Sequence, residues 1–284
     1  MRARLTRALL AALASVLASV LASLMAVAVA RAAEPVRAYA AGSLRGPLGE
    51  IAREFEQATG LPVEIRFGAS GLLRDAIKDG ADVDVFASAN MEHPRSLTEA
   101  GRSGPPVLFA RNRLCALVRP GFEADGDNLI DKMLDPAVKV GASTPRNDPA
   151  GDYAWHVFRK IDAQRPGSFA ILDQKALKLT GGPGAPVPPP GRNPYAAAIE
   201  RGEADLFLTY CTNAREAAGQ VGGAGVLELP DAITVGADYG LTVANAATAA
   251  GYRFALFVLS PEAQAILARY GFAAPTASDA RPSR

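Results

Sequence analysis

Short apolar runs take turns along this chain with stretches whose apolar positions recur at helical spacing. Val36–Ala40 reads as a short extended run. Leu44, Leu48, Ile51, Ala52 and Phe55 then fall on one helical face, with Pro47 tolerated in the first turn and Gly60 as the stop. Val63, Ile65 and Phe67 alternate as in a strand. Leu72, Leu73, Ala76 and Ile77 predict a short helix ended by Gly80, and Val83, Val85 and Phe86 predict the next strand. Strands alternating with helices argue an α/β fold with a mainly parallel sheet covered by helices on both faces.

The second part of the chain continues the alternation. Leu114–Val118 predicts a strand leaving a first lobe, Leu129–Leu134 a helix and Val138–Gly141 a strand. Ala154, Val157, Phe158 and Ile161 mark a helix beginning near Gly151. Gly181 to Gly191 is dense in Pro and Gly and predicts an exposed loop without regular structure. Pro194 to Arg201 predicts a helix with Pro in its first turn, and Leu206–Thr209 a buried strand. Val226–Leu229 and Tyr239–Val243 predict strands, and Arg253–Leu259 and Pro261–Tyr270 two closing helices. The polar tail after Pro275 predicts disorder.

Composition narrows the function classes. Arg2, Arg4 and Arg7 precede an uncharged, mostly Ala, Leu and Val run from Ala8 to Ala30, followed by the small-x-small site Ala30-Arg31-Ala32. This predicts a signal peptide over residues 1–33 and export to the periplasm, with an uncleaved anchor as the alternative. The rest of the chain is long enough for two lobes. A formal net charge of +1 offers no footprint for nucleic acid. The two cysteines, Cys115 and Cys211, are too few for a disulfide scaffold, and the sequence leaves open whether they pair.

The candidate chemistry lies where apolar runs give way to helices. Ser43 and Ser70 each sit at such a junction, where a hydroxyl stands beside unpaired backbone N–H groups and the positive end of a helix dipole. Such ends suit an anion, although an ordinary helix cap explains either Ser alone. Asn147-Asp148-Pro149-Ala150-Gly151-Asp152-Tyr153 forms a tight strand-to-helix turn whose Ala150 and Gly151 amides can point outward. Leu206-Phe207-Leu208-Thr209-Tyr210 ends a buried strand in a phenol, which either donates into a crevice or is satisfied locally.

Ala40-Ala41-Gly42-Ser43-Leu44, Phe67-Gly68-Ala69-Ser70, Asp84-Val85-Phe86-Ala87-Ser88-Ala89, Pro149-Ala150-Gly151-Asp152-Tyr153 and Arg269-Tyr270-Gly271-Phe272, in this order, resemble the periplasmic molybdate-binding proteins of ABC transporters. The resemblance spans roughly Val36 to Phe272. It implies an α/β, two-lobed Venus-flytrap fold of the type II binding-protein class, with residues 34–112 plus 237–284 in lobe 1 and residues 113–236 in lobe 2. It implies molybdate or tungstate in the inter-lobe cleft, no cofactor, no direct protein–metal ligand, an inner-membrane ABC permease as partner and a monomeric state. By position it places the oxyanion ligands at Ser43, Ser70, the Ala150 amide and Tyr210, and a further backbone ligand at Arg192.

A tetrahedral dianion has only acceptor oxygens, so a site for it needs donors and excludes carboxylates. Three positions depart from the family pattern. Arg192 stands where an apolar residue is usual, as an amide ligand, an added cation or a surface Arg at a loop edge. Cys211 follows Tyr210 where Gly is common, and Asp148 precedes the Pro-Ala-Gly turn, where it is expected to face away or pair with Arg146. The rival readings are a binding protein for another oxyanion such as sulfate, and an exported enzyme. The enzyme has little to work with: His93 and His156 are the only histidines, and no hydrolase, zinc or phosphate-loop motif is present. Asp82 and Asp84 flank Val83 and read as strand-end charges rather than a metal site.

Overall fold

The computed structural model describes residues 34–189 and 191–275. The signal-peptide expectation for residues 1–33 and the disorder expected of the tail lie outside the described residues. The strands join into one nine-stranded mixed sheet in two halves. In the first half, β1 (Val36–Ala41) pairs in parallel with β2 (Val63–Gly68) and β3 (Val85–Ser88). β1 lies inside the sheet and buries its Val36, Ala38, Ala40 and Ala41 positions, with Arg37 and Tyr39 half-buried between them. β2 alternates because it is an edge strand, with Glu64 and Arg66 exposed and Val63, Ile65 and Phe67 turned toward the core. Helix α1 (Arg45–Thr59) buries Pro47, Leu48, Ile51, Ala52 and Phe55. It ends at Gly60, whose positive φ of 70° lets its N–H reach the Glu56 carbonyl at 2.8 Å. Phe55 meets Phe254 and Phe257 of helix α9 (Ala249–Val258) edge-on, with ring centroids 5.2 and 5.5 Å away. Burial of one such ring contributes about 1.5–3 kcal/mol.

Two long strands carry the chain between the halves. β4 (Val107–Val118) and β9 (Gly236–Val243) pair antiparallel, with Asn112 opposite Ala237 and Arg113 opposite Gly236. The residues expected to bound the two lobes are thus register partners on one ladder. Beyond them β4 pairs antiparallel with β7 (Leu206–Tyr210) and β8 (Gly225–Glu228). β7 then pairs in parallel with β5 (Val140–Ser143), and β5 with β6 (Leu177–Thr180). Parallel pairing holds within each half, and the antiparallel pairs all involve β4 or β9.

Helix α2 (Ser70–Lys78) follows β2, α5 (Pro149–Gln164) follows β5, and α8 (Cys211–Gln220) follows β7. Helices α4 (Leu129–Leu134), α7 (Pro194–Glu200) and α10 (Pro261–Arg269) lie where periodicity places them. Helix α3 (Glu92–Glu99), helix α6 (Ser168–Lys175) and β6 go beyond the sequence reading. α3 is mostly polar, and β6 is a run of only four residues with Lys178 inside it, so neither presents a long apolar period. Cys115 of β4 and Cys211 at the start of α8 form a disulfide, which settles the pairing left open above.

Candidate functional site

Ser43, Ser70 and Tyr210 line one cavity of about 260 Å³. Neither Ser is a helix cap. Ser43 lies in a 3₁₀ turn (Gly42–Leu44), the α1 cap is Leu44, and the α2 cap is Ala69 with no side-chain bond. The hydroxyls are therefore available for other work. Ser43 Oγ and the Tyr239 hydroxyl are 2.9 Å apart. Ser70 Oγ accepts the Ala89 N–H at 3.1 Å, which leaves its own proton to donate. The Tyr210 hydroxyl donates to the Ala89 carbonyl over a long 3.3 Å.

The two walls of the cavity touch at backbone level. Gly71 N–H donates to the Asn147 carbonyl at 2.7 Å. A Cβ on Gly71 would lie 2.2 Å from the Arg146 carbonyl oxygen, so only glycine permits this approach. Arg146 has a positive φ of 69°, unusual for a residue with a side chain, and its N–H donates to Asp152 at 2.8 Å. The loop expected to be simply exposed contributes Gly181, Gly182, Ala185, Pro186, Val187 and Pro188 to the cavity wall.

Three expected positions need restating. Asp148 neither faces away nor pairs with Arg146: it lines the cavity and caps α5, its Oδ1 accepting the Ala150 N–H at 3.1 Å. The reason is local, because a cap carboxylate must fold back on its own helix start. The same bond engages the Ala150 amide assigned to the anion, and Ala150 itself is fully buried. Arg192 belongs to a different surface pocket, with its guanidinium paired to Glu200 and bonded to the Gln220 carbonyl. Its own N–H donates to the Pro189 carbonyl, so it brings neither amide nor cation to the cavity. Pro194 and Tyr195 take the α7 end of the wall instead. Cys211 carries no thiol, being disulfide-bonded.

Sequence reasoning missed Arg45, Tyr195 and Asn213, which also line the cavity. Asn213 lies one turn beyond Thr209 and donates to its hydroxyl at 3.3 Å, a spacing readable only once the strand-to-helix junction is known. Burial pushes the Tyr195 phenol up to about 12 and raises Tyr210 and Tyr239 well above the ordinary value, so all three stay protonated donors at neutral pH.

Among the described residues, Asp148 is the one carboxylate in the lining. Burial pushes its pKa up to about 6, against the lowering effect of the Ala150 amide and the Ser143 hydroxyl. The folded protein thus holds this proton more tightly than the unfolded chain, whose value is 3.8. Stability falls as pH rises from about 4 to about 6 and stays lower above that window. Asp148→Asn keeps a capping side chain and removes the charge. The variant is expected to be more stable than the native protein by about 3 kcal/mol at pH 8 and nearly equal to it near pH 3.5. Urea melts at both pH values check this, and equal midpoints at the higher pH would count against a desolvated carboxylate.

A wider cleft of about 760 Å³ is lined by Arg146 and other charges of both signs and by Tyr153, Trp155 and His156. His93, the other enzyme candidate, is buried, its Nδ1 lies 3.0 Å from Arg74, and burial with Arg74 pushes it down to about 4. Asp84 is spent on the Arg37 N–H and on Thr248, and Asp82 pairs with Arg37. Among the described residues no cluster of His, Cys, Asp and Glu has the makings of a metal site.

A family model described as bacterial extracellular solute-binding protein matches residues 36–273. An uncharacterised protein of Pasteurella multocida (strain Pm70) is 38% identical over 212 residues, covering 74% of this chain and 88% of that protein. The molybdate-binding protein ModA of Escherichia coli (strain K12) is 25% identical, covering 84% and 88%. Among solved structures, the Azotobacter vinelandii periplasmic molybdate-binding protein superposes with a TM-score of 0.68 at 21% identity, covering 84% of this chain and 99% of that one. The sulfate-binding protein SubI of Mycobacterium tuberculosis H37Rv does so with 0.69 at 19%, covering 85% and 87%. The fold is that of the type II periplasmic binding proteins, a mixed α/β structure with a curled sheet.

Proposed function

We propose that this chain, which belongs to the bacterial extracellular solute-binding protein family, is the periplasmic component of an ABC importer and captures molybdate or tungstate. The observation that carries the reading is the single cavity shared by the Ser43, Ser70 and Tyr210 hydroxyls. These groups come from β1–α1, β2–α2 and β7–α8 junctions in both halves of the sheet. In this reading residues 34–112 plus 237–284 form one lobe, residues 113–236 form the other, and the anion sits between them. The protein works as a monomer and hands the anion to an inner-membrane permease without chemical turnover. Named relatives that bind molybdate support this choice of anion.

The capture step follows from the groups present. Ser70 donates its remaining proton, and the Ser43 hydroxyl and Tyr210 phenol turn from Tyr239 and from the Ala89 carbonyl toward the anion. Each hydrogen bond to a charged acceptor contributes about 1.5–3 kcal/mol. The contact of Gly71 with Asn147 ties the β2–α2 side of the cavity to the β5–α5 side. Arg45 supplies the one cation in the lining among the described residues.

Calorimetry with molybdate, tungstate, sulfate and phosphate tests the reading. Ser43→Ala and Ser70→Ala are each expected to weaken molybdate binding about ten- to a hundred-fold. Neither side chain caps a helix, but Ser43 pairs with the Tyr239 hydroxyl and Ser70 accepts the Ala89 N–H, so each variant is expected to stay folded and to lose about 1–3 kcal/mol of stability in the absence of anion. Undiminished affinity in both would overturn the proposed site. Sulfate is the rival anion, favoured by the similarity to the sulfate-binding structure. Tighter binding of sulfate than of molybdate would select it.

A further inference from the structure

We propose that Asp148 holds one proton in the loaded cavity, shared between its carboxyl oxygen and an oxygen of the bound tetrahedral anion, and thereby sets which anions the site accepts. This rests on the oxyanion reading above. A carboxylate and a fully deprotonated oxyanion are both acceptors only, and side by side in a cavity of about 260 Å³ they repel each other. A proton between them turns that repulsion into a charge-assisted hydrogen bond.

The geometry leaves Asp148 little means of escape. Its Oδ1 is tied to the Ala150 N–H. On its other side stands Gly181, where a Cβ would lie 2.5 Å from the Asp148 Cβ and 2.6 Å from its Oδ2. The groups around it lend hydrogen bonds but no proton. Tyr195 of α7, Tyr210 of β7 and Tyr239 of β9 keep their own protons at neutral pH, and Ser143 of β5 is a neutral hydroxyl. Asp152, on the same helix, is a further negative charge and makes ionisation of Asp148 harder. Arg45 is the one cation in the lining among the described residues, and its guanidinium lies over the Phe67 ring, 4.7 Å from the centroid. Burial already raises the proton affinity of Asp148, and an anion beside it acts in the same direction.

Two classes of anion follow. Molybdate and sulfate arrive without a proton, so the complex draws one from solvent. Hydrogen phosphate brings its own. The test is calorimetry of the purified protein with molybdate, sulfate and inorganic phosphate at about pH 7 and pH 8, in phosphate-free buffers of high and low ionisation enthalpy, with Asp148→Asn in parallel. Molybdate is expected to take up close to one proton at the higher pH and to lose about tenfold in affinity between the two pH values. Phosphate binding there should take up none. Asp148→Asn should abolish the molybdate linkage and tighten molybdate binding at pH 8 by about tenfold, while weakening phosphate. Molybdate heats independent of buffer, with equal affinity at both pH values, would overturn the inference and leave the oxyanion reading standing. Failure of all three anions to bind would reject that reading and the inference together.

Discussion

Replacing both Cys115 and Cys211 by Ser is expected to lower stability by about 4 kcal/mol. The bridge spans a sequence separation of 96 residues, and closing a loop of that order in the unfolded chain is worth about 4–5 kcal/mol before any strain. Both residues are buried among Tyr195, Phe207, Ala214 and Leu117, so two Ser hydroxyls would also need partners there. Urea melts with and without a reductant measure the effect, and a loss below about 1 kcal/mol would mean that the native packing already holds β4 against α8. The same bridge fixes the residue after Tyr210, so the reduced protein should bind its anion more weakly as well.

Gly71→Ala is expected to weaken anion binding by about a hundredfold while leaving the fold intact. Its Cβ would stand 2.2 Å from the Arg146 carbonyl oxygen, 2.7 Å from that of Asn147 and 2.9 Å from the Asn147 Cα. These are backbone atoms, so no rotamer change relieves the overlap, and the two walls must part. Overpacking of this kind costs about 1–3 kcal/mol, which near its upper end is two decades of affinity. The helix itself gains, because Ala suits the second position of α2 better than Gly. Calorimetry paired with thermal melts of the unliganded variant separates the two effects. Native affinity in Gly71→Ala would show that the wall contact plays no part in capture.

Much of the fold was legible because it is written in local periods. The apolar face of α1, its stop at Gly60, and the alternation of β2 all follow from side-chain spacing and from one glycine's freedom at positive φ. The missed elements have weak periods. α3 is a polar helix, and β6 is a four-residue run beside a helix, α6, of mixed faces. The Pro- and Gly-rich loop was legible as irregular chain, but its place on the cavity wall was not, since nothing local says what lies beneath a loop.

Of the site, the strand-to-helix junctions pointed at Ser43, Ser70 and Tyr210, and the chain brings these three to one cavity. Arg192 was chosen by spacing across an irregular loop, where the count of residues no longer measures distance. The position facing the cavity is occupied by Pro194 and Tyr195 instead. Asp148 was expected to avoid the cavity, and its cap on α5 holds it there.

The sequence by itself determined the α/β alternation, the burial faces and the hydroxyl-bearing junctions, because these depend on residues within a few positions of one another. Only the tertiary structure decided that Cys115 meets Cys211, that Gly71 touches the Arg146–Asn147 turn and that a carboxylate shares the cavity with the hydroxyls. Those contacts join segments that the sheet order brings together, and their energetics come from burial and close approach, which no local pattern encodes.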